Sequence, residues 1–339
     1  METIRWNLKN NYLYNQKAIQ GAAELLKSGS TVAFPTETVY GLGADATNEE
    51  AVSKIFEAKG RPQDNPLIAH VATKNQLTRL VDSYPPFVDK LIDVFAPGPL
   101  TFVLPSNGTC TENVTAGLST IGVRIPGHPI AHELLKVSDV PIAAPSANIS
   151  GKPSPTTGNH VWSDLQGKIA GLLDAGPTGV GVESTVIDCT QEIPIILRPG
   201  GITKEQLEEI VGPVMVDPAI AGASSDRPAA PGMKYKHYSP EVPLWLVEGG
   251  SGKMQQIINE EKNARRIGVM ASTRTSQRLE ADNIISLGWS LPEIAAHLYE
   301  ALRTYKEGDV DIILCEAFPE EGIGQAIMNR LKKAASVHM

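Results

Sequence analysis

The apolar positions of the chain switch between two periods, and the switches lay out its elements. AIQGAAELLKSG (18–29) carries apolar residues at helical spacing and closes on Gly29, which tolerates the backbone that a helix C-terminus favours. STVAFPT (30–36) then predicts a β-branched strand stopped by Pro35. NEEAVSKIFEAKG (48–60) predicts a helix with acidic residues first and Lys59 and Gly60 last, the polarity that the helix dipole favours. Further strands are predicted in LIAHVA, LTFVLP, TIGVRIP, VPIAAPS, STVIDC and PIILRPG. Strands mixed with helices indicate an α/β or α+β domain over residues 1–212.

Residues 213–242 have no period and are rich in Pro, Ala, Ser and Gly, which predicts an extended linker rather than a packed element. From 243 to 339 regularity returns. VPLWLVEG, RRIGVMAS, NIISLG and VDIILCEAF read as strands, LPEIAAHLYEALRTYKEG and IGQAIMNRLKKAAS as helices. That alternation predicts right-handed crossovers and a small Rossmann-like parallel sheet.

Composition narrows the picture. A chain of 339 residues has room for two domains, and with 42% hydrophobic but only 5% aromatic residues its cores must be aliphatic. The net charge of −8 offers no general attraction to nucleic acid or anionic membranes, so an anion site must be a local exception. Three scattered cysteines form no CxxC, disulfide or zinc framework. The opening METIRWNLKNN lacks the apolar centre of a signal peptide, and no apolar run approaches about 18 residues. The expectation is a soluble cytoplasmic protein with no membrane partner.

The chemistry gathers where strands end. EAKGRPQDNPLIAHVA (57–72) puts Lys59 and Arg61 two apart, then Asn65 and His70; alone it could be a solvated loop. PTETVYGLGADA (35–46) places Thr36, Glu37, Thr38 and Tyr40 beside two glycines, as a Gly-containing turn also would. TIGVRIPGHP sets Arg124 in an apolar strand, where a charge must be paired or face a ligand because bare burial costs several kcal/mol. APSANISGKPSPT (144–156) strings hydroxyls, an amide and glycine through a Pro-rich loop suited to phosphate oxygens. GVESTVID and LRPGGI repeat the theme with Ser184 and Arg198.

In this order the motifs resemble the signature of the YrdC/Sua5 family, a Lys-x-Arg element followed far downstream by Ser-x-Asn: here Lys59-x-Arg61 and Ser146-x-Asn148. PTETVYGL, RPQDNPLIAH, PGPLTFVL, GVRIPGHP, ESTVID and LRPGG also look like that family's. The resemblance covers about residues 14–212, and PGMKYKHYSP with the C-terminal region looks like the longer, Sua5-type members. It implies a twisted open mixed α/β sheet around a concave cationic cleft, followed by a linker and a small C-terminal α/β domain. It implies an L-threonylcarbamoyladenylate synthase, joining L-threonine, bicarbonate and ATP into threonylcarbamoyl-AMP and pyrophosphate. The product would pass to a tRNA threonylcarbamoyltransferase complex for N6-threonylcarbamoylation of tRNA adenosine 37.

By the same resemblance Lys59 and Arg61 are the catalytic cations. Thr38, His70, Arg124, Ala144 and Ser184 take L-threonine, with Arg124 forking onto its carboxylate. Arg61, Asn65, Thr120, Ser146, Asn148, Ser154, Arg198 and His237 line the ATP side. Mg²⁺ would come with ATP, held by phosphate oxygens and water, with no protein metal site. Residues 213–242 would fold back as a lid. Lys59 and Arg61, at a helix end, are expected to tolerate truncation with little loss of stability.

Other readings fit less well. A non-catalytic RNA-binding module is opposed by charge: residues 1–212 hold 16 Lys and Arg against 22 Asp and Glu, and residues 243–339 hold 11 against 13. Neither a hydrolase triad around Ser146 or Ser184 nor an activated water is identifiable. FPEEGIGQAIMNR places Gly322-x-Gly324 as a dinucleotide fingerprint would, but Ile327 stands at the third glycine position and no following strand is predicted, so it reads as the start of a helix.

Overall fold

The computed structural model describes residues 2–8, 12–221 and 238–339; His237 and most of the expected lid lie outside them. The chain divides into two compact units. The first comprises Met1–Ser150, Ser154–Gly179 and Glu183–Lys234, the second Gly151–Pro153, Val180–Val182 and Tyr235–Met339. Among the described residues no helix is long and apolar enough to cross a membrane.

In the first unit the strands are β1 (Ile4–Asn7), β2 (Val32–Phe34), β3 (Gly41–Asp45), β4 (Ile68–His70), β5 (Leu100–Pro105), β6 (Thr120–Arg124), β7 (Ile142–Ala143), β8 (Gly171–Asp174), β9 (Thr185–Asp188), β10 (Ile195–Arg198) and β11 (Met215–Val216). They form one mixed sheet ordered β1-β8-β2-β3-β7-β4-β6-β5-β9-β10-β11. The helices are α1 (Tyr12–Lys27), α2 (Glu49–Lys59), α3 (Lys74–Thr78), α4 (Phe87–Phe95), α5 (Glu112–Thr115), α6 (Pro129–Ser138), α7 (Gly158–Leu165) and α8 (Lys204–Val211). The core is aliphatic as composition requires: Leu42, Val52, Ile55, Leu77, Leu91, Leu104 and Val123 are buried. Each such side chain contributes about 1.5–3 kcal/mol on leaving water.

α2 bears on function because it delivers Lys59. Asn48 caps its first turn by accepting from Ala51 N, Glu49 and Glu50 face the positive end of the dipole, and Gly60 stops it at φ 61. The Gly-containing turn that PTETVYGLGADA also allowed gives way, from Gly41 to Asp45, to the strand β3. Its glycines are there for packing: a Cβ on Gly43 would lie 2.7 Å from Ile142 Cγ2 and 2.9 Å from Phe34 Cε1. The start of the expected linker is also not structureless, since β11 pairs in parallel with β10 and Pro218–Ala221 makes a 3₁₀ turn.

In the second unit β12 (Leu244–Val247), β13 (Ile267–Ala271), β14 (Asn283–Ser286), β15 (Ile312–Glu316) and β16 (Val337–His338) form a sheet ordered β14-β13-β15-β12-β16, parallel throughout as predicted. α9 (Gly250–Glu261), α10 (Thr273–Ser276), α11 (Leu291–Thr304) and α12 (Gly324–Ala334) connect the strands. Gly324 does begin a helix, but a strand does follow it: β16 pairs with β12 through two residues, too short for any period to show in sequence.

Candidate active site

Strand register builds the centre of the site in the first unit. His70, the last residue of β4, sits beside Arg124, the last residue of β6, and Arg124 sits beside Thr101 on β5. Side chains in register share a face, so an imidazole, a guanidinium and a hydroxyl form one row across three strands. Ser184 immediately precedes β9, which pairs in parallel with β5, and so joins the row's end. His70 and Arg124 stand at carboxyl ends of parallel strands, where open α/β sheets bind ligands.

All of these side chains are buried, so their bonds define the chemistry. Arg124 donates from Nε to Gly98 O (3.3 Å), from Nη1 to Thr38 Oγ1 (3.0 Å) and from Nη2 to Glu37 Oε1 (2.7 Å). Those bonds use three of its five N–H groups and leave one on each Nη. Thr38 is held in turn by Thr36, whose hydroxyl lies 2.8 Å away and accepts from Thr38 N. Burial alone would push the Glu37 carboxyl up, but the Arg124 charge and hydrogen bond hold it below the usual carboxylate range, so it is ionised.

His70 is the opposite case. Burial first and Arg124 second depress its pKa to about 3, so the imidazole is neutral at pH 7. Its Nδ1 lies 3.1 Å from Ile68 O. A carbonyl only accepts, so Nδ1 carries the proton and Nε2 is left as an acceptor.

Two loops complete the site. Lys59 Nζ donates to Ser146 O and Asn148 O, both at 2.5 Å, and Lys59 O accepts from Ser150 N at 2.8 Å. Lys59 is 2% exposed. Its ammonium therefore clamps the Ser-x-Asn loop, and the expectation that truncating it costs little stability is corrected: two buried carbonyls would lose their donor. Arg61 is half-buried, its Nη2 3.4 Å from Asn65 O and 3.5 Å from Pro66 O. Asn65 is 1% exposed, and neither Oδ1 nor Nδ2 has a hydrogen-bond partner among the described residues. Orphaned buried amide atoms cost about 1–3 kcal/mol each, so Asn65 calls for a partner that the described residues do not supply.

On the far side, Arg198 donates to Ser184 O (2.9 Å) and Ser184 Oγ (3.3 Å), and Ser184 Oγ lies 2.8 Å from Thr101 Oγ1. Ser154 Oγ donates to Glu183 Oε1 at 2.6 Å. Ala144 follows β7 and donates its N–H to Ile68 O, which seats it beside the His70 strand. Thr120 is not part of this cluster: it lies at the other end of β6, about 13 Å from Arg124 at the usual rise per residue.

Comparison with known proteins gives this site a lineage. The family model described as telomere recombination, covering Sua5, YciO and YrdC proteins, matches residues 24–200. The chain belongs to the Sua5/YciO/YrdC family. A second model, the threonylcarbamoyl-AMP synthase C-terminal domain, matches residues 202–336. Relatives of this family named threonylcarbamoyl-AMP synthase include one from Bacillus subtilis, 50% identical over 99% of this chain and 98% of its own. One from Pyrococcus abyssi is 48% identical over 94% of each. A crystal structure of P. abyssi Sua5 complexed with L-threonine superposes with a TM-score of 0.91 at 45% identity, covering 100% of this chain and 99% of that one.

The structure thus brings Thr38, His70, Arg124, Ala144 and Ser184 to one strand edge of this Sua5/YciO/YrdC fold, with Arg198 bonded to Ser184. Sequence reasoning gave no role to Glu37, Thr101 or Glu183, each bonded directly to a candidate residue. Thr101 had a readable signal, a hydroxyl interrupting the apolar strand LTFVLP. The two glutamates had none, because a carboxylate in a polar loop looks like any other.

Proposed function

We propose that the protein is a threonylcarbamoyl-AMP synthase that converts L-threonine, bicarbonate and ATP into threonylcarbamoyl-AMP, pyrophosphate and water. The observation that carries this reading is the full-length kinship to synthases, 50% identity over 98% of the B. subtilis protein, joined to the superposition on a threonine-bound relative. The site's chemistry supports it. The two remaining N–H groups of Arg124 form a fork for threonine's carboxylate, and the lone pair of His70 Nε2 accepts from its hydroxyl. The orphaned amide of Asn65, with Arg61, Ser146 and Arg198, suits the nucleotide.

No nucleophile with its base is needed. Threonine's amine attacks the carbon of bicarbonate or carbon dioxide, giving a carbamate; a carbamate oxygen then attacks the α-phosphorus and pyrophosphate leaves. The protein's part is to position the reactants and stabilise charge. Lys59 contributes by fixing the Ser146–Asn148 loop. Mg²⁺ would arrive as the ATP complex, held by phosphate oxygens and water. The adenylate would then serve tRNA threonylcarbamoylation by a separate transferase. The test is pyrophosphate release by the purified protein, expected only when threonine, bicarbonate and ATP–Mg²⁺ are all present; release independent of threonine would refute the reading.

A further inference from the structure

Beside Arg124 the site holds a carboxylate oxygen that the reading so far does not use. Glu37 Oε1 accepts from Arg124 Nη2, while Glu37 Oε2 is buried and has no hydrogen-bond partner among the described residues. The side chain is 19% exposed and Arg124 is 5% exposed. The backbone N–H groups of Glu37 and Gly127 help Arg124 hold the carboxyl low, but none of them makes a hydrogen bond to Oε2 by geometry, and a buried carboxylate oxygen short of a donor is costly.

Arg124 and Glu37 side by side also present a particular charge pattern. The guanidinium offers two spare N–H groups, and next to it a carboxylate offers an acceptor that wants a cation. A free α-amino acid has the complementary pattern, a carboxylate and an ammonium on one carbon. The other groups beside Arg124, Thr38 bonded to the same guanidinium at 3.0 Å and neutral His70 in register with it, carry no negative charge to meet an ammonium.

Resting on the synthase reading and sharpening it, we infer that Glu37 is a substrate-binding residue: its Oε2 accepts from the α-ammonium of threonine while Arg124 takes the carboxylate. The pair admits zwitterionic amino acids and rejects hydroxy acids of the same shape. Rejection follows because a hydroxyl in place of the ammonium can still donate to Oε2 but brings no positive charge, which leaves the buried carboxylate's charge uncompensated.

Calorimetric binding to the full-length protein tests this with two ligands, L-threonine and 2,3-dihydroxybutanoate, in which a hydroxyl replaces the amine. The unaltered protein is expected to prefer threonine by about 100-fold or more. Glu37→Gln keeps an acceptor for Arg124 but puts an N–H₂ where Oε2 stood, so the preference should collapse to within about 10-fold through weaker threonine binding, with ATP affinity unchanged. Glu37→Asp, which keeps the charge, should recover part of the preference. If Glu37→Gln weakens both ligands equally, Glu37 only holds Arg124 in place and the inference is wrong. If the unaltered protein binds no threonine, the synthase reading itself fails and takes the inference with it.

Discussion

The two units handle buried charge and strand ends in opposite ways. At the carboxyl ends of β4 and β6 the first unit buries Arg124 and His70, and nearby it leaves Asn65 and Glu37 Oε2 without partners among the described residues. At the carboxyl ends of β13 and β15 the second unit closes on itself. Glu316, the last residue of β15, accepts from Ser272 N (2.7 Å) and Thr275 Oγ1 (2.6 Å), occupying the start of α10 that an anion would otherwise seek. The Arg266–Asp311 ion pair of this unit lies exposed at the surface. Both sheets have the geometry that usually binds ligands at strand ends; among the described residues the first leaves Asn65 and Glu37 Oε2 without partners near those ends, while the second gives Glu316 two donors. The lesson is that what the polar groups at the strand ends are bonded to, more than fold type, separates a site from a scaffold.

That contrast can be broken by substitution. Arg124→Ala should have the largest effect: turnover down at least ~10³-fold, and the fold about 3–5 kcal/mol less stable because Glu37 is left buried and unpaired. Steady-state kinetics and denaturant melts read both. Arg124→Lys should keep the charge but lose the fork, raising KM for threonine far more than for ATP; equal increases would make Arg124 a structural residue. Lys59→Met should follow, with about 2–4 kcal/mol lost as Ser146 O and Asn148 O go unpaired. Acid sensitivity comes next. Above pH 6.5 His70 is neutral in folded and unfolded chains alike. Below that the unfolded chain takes up a proton that the folded chain refuses until about pH 3, so stability drains away as pH falls through that window. Urea melts from pH 7 to pH 4 should show a limb about one proton shallower in His70→Gln.

Substitutions in the second unit sharpen the contrast from the other side. Glu316→Ala should cost about 1–2 kcal/mol by leaving Ser272 N and Thr275 Oγ1 without their acceptor while turnover stays as it was. Arg266→Ala, in a fully exposed pair, should leave the melting temperature within experimental error. A loss of turnover in either would mean that the second unit takes part in the chemistry.

Sequence disclosed what is local and hid what is not. α2 was legible to its caps because Asn48, Glu49 and Gly60 act on adjacent backbone. β3 was not, because its glycines answer to Phe34 and Ile142, which are neighbours only in space. The short strands β1, β8, β11 and β16 owe their existence to a partner strand rather than to any pattern of their own. In the site, Arg124 stood out as a charge in an apolar strand. The clamp by Lys59 did not, since its carbonyl partners lie 87 and 89 residues away. His237 falls outside the described residues, and the lid expected of residues 213–242 remains a proposal for them.

The central claim is that the strand edge of the first unit, and not that of the second, makes threonylcarbamoyl-AMP. The most direct measurement follows ¹³C-bicarbonate into product by mass spectrometry, using full-length unaltered protein, Arg124→Ala and Glu316→Ala side by side with L-threonine and ATP–Mg²⁺. The account predicts labelled threonylcarbamoyl-AMP from the unaltered protein and from Glu316→Ala, and almost none from Arg124→Ala. Labelled adenylate from Arg124→Ala at the unaltered rate, or none from the unaltered protein, would contradict it.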